Sequence, residues 1–76
     1  MKKKAAKALK ALRVRLQLSQ RDYAKRIGVT QPTVSYHENP DDSRYPKRAT
    51  AKKILRLAER AGYTIAERRA LSDAIK

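Results

Sequence analysis

The chain of 76 residues contains no cysteine. That excludes a disulfide framework, a thiol nucleophile and a Cys-based zinc site. A single histidine, His37, is too few for a His-based metal cluster or a catalytic triad. Two glycines exclude a Gly-rich phosphate loop. No apolar run approaches the roughly 18–20 residues that a bilayer-spanning helix requires. Acidic side chains are scarce, 7 against 20 Lys and Arg, for a formal charge of +13. Met1-Lys2-Lys3-Lys4 resembles the basic start of a signal peptide, but Lys7, Lys10, Arg13 and Arg15 interrupt any apolar stretch behind it. The expectation is one small, soluble, cytoplasmic domain over 1–76, without a cofactor or metal, and a binder rather than an enzyme.

What is present in excess is positive charge, and it is graded. Residues 1–37 carry ten basic side chains and one acidic one, Asp22. Residues 38–61 carry seven against four, and residues 62–76 three against two. Charge of this size and sign points to a polyanion, because Lys and Arg on phosphates release condensed counterions.

The apolar residues are spaced for helices. Large ones are few (7 Leu, 4 Ile, 3 Val, 4 Tyr), and 12 Ala favour close helix packing. No stretch alternates long enough to read as a strand. Ala5, Ala8, Leu9, Leu12 and Leu16 predict a first amphipathic helix from about Lys3 to Gln17. Ser19, with Asp22 three residues on, caps a second helix, Gln20 to Ile27, that turns Tyr23, Ala24 and Ile27 inward before Gly28 ends it. Thr30 caps a third helix, which has Pro32 in its first turn and is stopped by Asn39-Pro40. After a polar loop, 39–46, a fourth helix runs from about Lys47 to Ala61 with Ile54, Leu55, Leu57, Ala58 and Ala61 as its stripe. Gly62 ends it. Thr64 and Glu67 form a capping box for a fifth, over 64–76, which carries Ile65, Leu71 and Ile75. The predicted fold is all-α, a compact bundle of five short helices.

The segment Gln20 to Glu38 is the most informative. Ala24 is small enough to let the second helix approach the third. Gly28 accepts the positive φ of a tight turn. Val34 anchors the third helix, leaving its opposite face outward. At about 100° per residue, Gln31, Pro32, Ser35 and Tyr36 share that outward face, with Thr33, Val34, His37 and Glu38 on the other side.

This spacing resembles the helix-turn-helix of the Cro/C1 family of phage repressors and their bacterial relatives. The matching residues include Arg13, Leu16, Leu18, Ser19, Gln20, Ala24, Gly28, Val29, Thr30, Gln31, Val34 and Glu38, then Pro46, Leu57, Ala58 and Gly62. The likeness covers roughly residues 9 to 63, with the helix-turn-helix at 20–38. It implies that the third helix lies in the major groove of double-stranded DNA. Gln31 then bonds adenine N6 and N7, Ser35 bonds a base edge, and Pro32 and Tyr36 offer apolar contact to a thymine methyl. The resemblance implies phosphate contact by Gln20, and the candidates beside it are Arg21, Thr33, Arg44, Lys47 and Arg48. It also implies a partly buried salt bridge between Arg13 and Glu38 that orients the third helix.

The function implied is a sequence-specific transcriptional regulator of Cro or repressor type, binding a palindromic operator as a homodimer. Within the same fold, an antitoxin or restriction-modification controller is the alternative, and a sequence-blind architectural protein is a third. The dimer surface is expected on the fifth helix through Ile65, Leu71 and Ile75, unless these close the monomer core. Departures from the family pattern are Tyr23 in place of a commoner Leu, Pro32 at a position where relatives carry a polar reader, and Asp41 and Asp42 in a longer loop. Those two acids are expected to turn away from DNA or bond locally.

Overall fold

Apolar side chains three and four residues apart give each segment one stripe. In the computed structural model, which describes residues 2–41 and 44–75, those stripes meet in one core. Five helices follow in order: α1 (Lys2–Arg15), α2 (Gln20–Ile27), α3 (Gln31–His37), α4 (Arg48–Arg60) and α5 (Ile65–Ala74). No strand occurs among the described residues. Met1, Asp42, Ser43 and Lys76 lie outside them, and with them the turn role expected of Asp42 and part of the Lys-rich start.

The core is filled by Leu9 and Leu12 of α1, Tyr23, Ala24 and Ile27 of α2, Val34 of α3, Ile54, Leu57 and Ala58 of α4, then Leu71 and Ile75. Each large aliphatic side chain buried there contributes about 1.5–3 kcal/mol. α2 packs mainly on α3, while α5 lies against both α1 and α4. The core therefore holds α3 by one inward residue, Val34, and by its contacts with α2.

Three helices end in the same way. A residue with positive φ follows the last turn, and the next N–H reaches back five residues to a helical carbonyl. Val29 N–H bonds the Ala24 carbonyl at 3.0 Å beyond Gly28, and Tyr63 N–H bonds the Ala58 carbonyl at 3.0 Å beyond Gly62. At the end of α1 the position is held by Gln17, at φ +59°, with Leu18 N–H on the Arg13 carbonyl at 3.2 Å. This left-handed residue stops α1 at Arg15, two residues before the expected boundary. Leu18, Val29 and Tyr63, which follow these turns, are half-buried against the core.

The fifth helix corrects one expectation. Leu71 and Ile75 are buried and complete the monomer core, whereas Ile65 is 68% exposed. Helical geometry separates them: Leu71 and Ile75 project within about 40° of each other, and Ile65 lies roughly 80–120° away. The three do not form one dimer surface.

Candidate nucleic-acid interface

The outward side of α3 is built by its two ends. Thr30 caps the helix, accepting from the Thr33 N–H, and the Thr30 and Thr33 hydroxyls lie 2.8 Å apart. Pro32 sits in the first turn, where its missing N–H breaks no helical bond. Val34 is 1% exposed, which fixes the rotation of the helix. Gln31, Pro32, Ser35 and Tyr36 are then all exposed together, while Thr33, His37 and Glu38 are half-buried on the flanks. No acidic residue lies in the first turn of α3. Its positive end therefore has no internal counter-charge.

A chain of polar groups leads to Gln31 from inside the protein. Arg13 grips Glu38 with two donors, Nε on Oε2 at 2.7 Å and Nη2 on Oε1 at 3.0 Å. Its remaining Nη1 donates to the Leu18 carbonyl at 2.9 Å, tying the bend between α1 and α2 to the same group. The two charged side chains are 15% and 5% exposed. Hydrogen bonding to Glu38 is the main cause that raises the Arg13 pKa above its ordinary value, so Arg13 holds its charge in the neutral range. Gln20 Nε2 donates to Glu38 Oε1 at 3.2 Å, and Gln31 Nε2 donates to Gln20 Oε1 at 2.7 Å.

The direction of this chain is set by charge. An ionised carboxylate only accepts. Gln20 must therefore turn its amide nitrogen toward Glu38 and its oxygen outward. Gln31 must then offer nitrogen to that oxygen. Gln31 is exposed and keeps a second amide hydrogen and its Oε1 acceptor, the two kinds of group with which a glutamine complements adenine N7 and N6.

The other basic residues expected at the site, Arg21, Arg44, Lys47 and Arg48, are all exposed. Arg21 is exposed on the first turn of α2. Lys47 is the N-cap of α4 and makes no side-chain cap bond, and Arg48 opens that helix; both are exposed. Arg44 lies over the ring of Tyr36, 3.6 Å from its centroid. Pro46 is buried and pins the loop between them. Asp41 donates its N–H to Asn39 Oδ1 at 2.9 Å, so the turn is bonded locally through the Asn39 side chain. Tyr23 buries its hydroxyl with no hydrogen-bond partner, and that burial, with the nearby Glu38 charge second, pushes its pKa up.

Two features escape sequence reasoning. The bond between Gln20 and Gln31 spans eleven residues, and its one signal is that α2 and α3 each begin with Gln directly after a hydroxyl cap. The Tyr36–Arg44 stack has no sequence signal, because the loop path decides it. Elsewhere, Arg26, Lys53, Arg56 and Arg60 line an open groove between α2 and α4. Arg26 projects about 140° from Arg21 around α2, so this charge lies on another flank. Among the described residues, no helix is long and apolar enough to cross a membrane, and no group of three or more metal-ligating side chains is found.

No curated protein and no solved structure matches the chain. A family model described as helix-turn-helix matches residues 9–68, which includes all of α2, α3 and α4 and the start of α5. The chain therefore belongs to the Cro/C1-type helix-turn-helix family, whose members bind double-stranded DNA.

Proposed function

We propose that this protein is a sequence-specific regulator of transcription of the Cro or repressor type, which places the outward face of α3 in the major groove of an operator. The observation that carries the reading is the polarity of the Arg13–Glu38–Gln20–Gln31 chain. It presents the Gln31 amide in a fixed orientation at an exposed surface. A fixed amide loses little rotamer freedom on meeting a base, whereas a free Gln loses up to about 1.5–2 kcal/mol. Ser35 and Tyr36 meet the next base edges, and Pro32 supplies apolar contact only. Gln20, Arg21, Thr33, Lys47 and Arg48 contact phosphates and set the register. Arg13 and Glu38 orient α3 without touching DNA.

A helix of seven residues reads few base pairs. Two copies on a palindrome, with half-sites about 34 Å apart, supply the rest of the specificity. Selection from a pool of random duplexes, followed by footprinting, tests this directly. The expected result is one preferred, two-fold symmetric site. Equal retention of all sequences would instead mark a sequence-blind, charge-driven binder. Lys47→Ala should weaken binding to every sequence alike and flatten the salt dependence by about one unit of slope.

A further inference from the structure

α3, Gln31–His37, contains neither Lys nor Arg. Its outward face therefore lacks the side chain most often used to read guanine, an arginine with its planar fork of donors. The structure supplies one from outside the helix. Arg44 stands eight residues after Tyr36, beyond the turn at Asn39–Asp41, yet its guanidinium carbon lies 3.6 Å from the centre of the Tyr36 ring. That is a stacked cation–π contact. Tyr36 is 38% exposed and shares its face with Pro32 and Ser35. Two residues beyond Arg44, Pro46 is buried and fixes where the loop can run.

The stability of the fold is a poor account of this contact, because exposed cation–π pairs contribute little. Its geometric effect is larger. A long, flexible side chain is held against one aromatic face, and that face belongs to the reading helix. A phosphate clamp needs charge and reach but no such fixed plane. Bidentate bonding to a base needs the plane.

We propose that Arg44, positioned by stacking on Tyr36, reads a guanine through O6 and N7 in the major groove, beside the bases met by the second turn of α3. The proposal rests on α3 lying in that groove. It changes the role of Arg44 from the backbone contact expected from sequence to a determinant of specificity. Tyr36 becomes its positioning residue.

A phosphate oxygen offers the same guanidinium a ligand, so the experiment separates the two. Sites are selected from random duplexes with the wild-type protein and with Arg44→Lys, Tyr36→Ala, Tyr36→Phe and Gln31→Ala variants, each with its melting temperature measured. The wild type should select a site with one guanine whose preference falls roughly tenfold to a hundredfold in both Arg44→Lys and Tyr36→Ala. Tyr36→Phe keeps the ring and should keep that preference. Arg44→Lys keeps the charge, so its salt dependence should match that of the wild type. Replacing the guanine by 7-deazaguanine, which lacks the N7 acceptor, should weaken the wild type but not Arg44→Lys.

Unchanged base preference and affinity in Arg44→Lys would overturn the proposal in favour of a phosphate contact. Loss of the guanine in Arg44→Lys but not in Tyr36→Ala would overturn the positioning role. If the wild type selects no site and Gln31→Ala behaves identically, the reading of α3 itself fails. That outcome differs from a selected site that merely lacks dependence on Arg44.

Discussion

The molecule contains one turn twice. α2 ends at Gly28, then Val29 packs on the core and Thr30 caps α3; α4 ends near Gly62, then Tyr63 packs on the core and Thr64 caps α5. The glycines have φ of +72° and +86°, and both following N–H groups return five residues. What differs is the cargo. Thr64 is answered by Glu67, which closes a capping box and puts an acid on the first turn. At the corresponding place after Thr30 stands Thr33, so α3 begins with no acid. α5 then turns Leu71 and Ile75 inward and helps close the core. α3 turns in Val34 alone among its residues and leaves four side chains outside. The same local geometry thus mounts a structural helix at one end and, at the other, the helix proposed to read DNA. An acid at the third position of α3 would stabilise that helix and repel phosphate.

The sharpest way to break this contrast is to cut the chain that stiffens α3. Glu38→Ala leaves Arg13 charged in a site where its side chain is only 15% exposed. The expected loss is roughly 3 kcal/mol of stability, read from denaturant unfolding. Replacing both partners, by Arg13→Met with Glu38→Leu, should restore most of the stability but not the DNA affinity. Recovery of both would show that the pair does not orient the helix.

Next in size are the two turns. Gly28→Ala and Gly62→Ala each force a side chain into the left-handed region at about 1–2 kcal/mol. The new methyl would meet Lys53 Nζ at 2.9 Å in the first case and Arg15 Nη2 at 3.6 Å in the second, both ends of flexible side chains. Thermal unfolding should therefore give similar losses. DNA affinity, measured below both melting temperatures, should fall further for Gly28→Ala, because only that turn aims α3.

A smaller gain is expected inside the core. Tyr23→Phe removes a buried hydroxyl that has no hydrogen-bond partner and should raise stability by about 1 kcal/mol. No gain would mean that the hydroxyl is satisfied in solution.

The smallest effect is the acid response of the Thr64 box. Thr64 N–H donates to Glu67 Oε1 at 2.8 Å, and this bond holds the Glu67 carboxyl below its ordinary value of 4.5. A lowered folded value stabilises the protein fully above the unfolded value. That contribution is lost as the pH falls through the lower folded value. Glu67→Gln should remove this part of the acid dependence, seen by circular dichroism, whereas Thr33→Val in α3 should leave it intact.

Much of this was legible in the order of residues, because caps and turns are local. Ser19, Gly28, Thr30, Gly62 and Thr64 each mark a boundary that the structure keeps within a residue or so. The end of α1 was not legible: Gln17 takes a left-handed conformation that its side chain does not advertise. Ile65 misled because an apolar residue next to Leu71 and Ile75 in a short helix reads as one stripe until the angles are followed. The outward face of α3 follows from Val34 and the helical repeat. The hydrogen bonds that reach it do not, since Arg13, Glu38, Gln20 and Gln31 meet only after α1, α2 and α3 are packed. The Tyr36–Arg44 stack lies further still from sequence, in the path of an irregular loop.

Gln31 is the residue proposed to carry sequence information into the groove. The most direct measurement compares wild type and Gln31→Ala on the selected site and on a random duplex at one salt concentration. The expected result is a loss of roughly 1–3 kcal/mol on the selected site and almost none on the random one. Equal losses on both duplexes, or no loss on either, would contradict it.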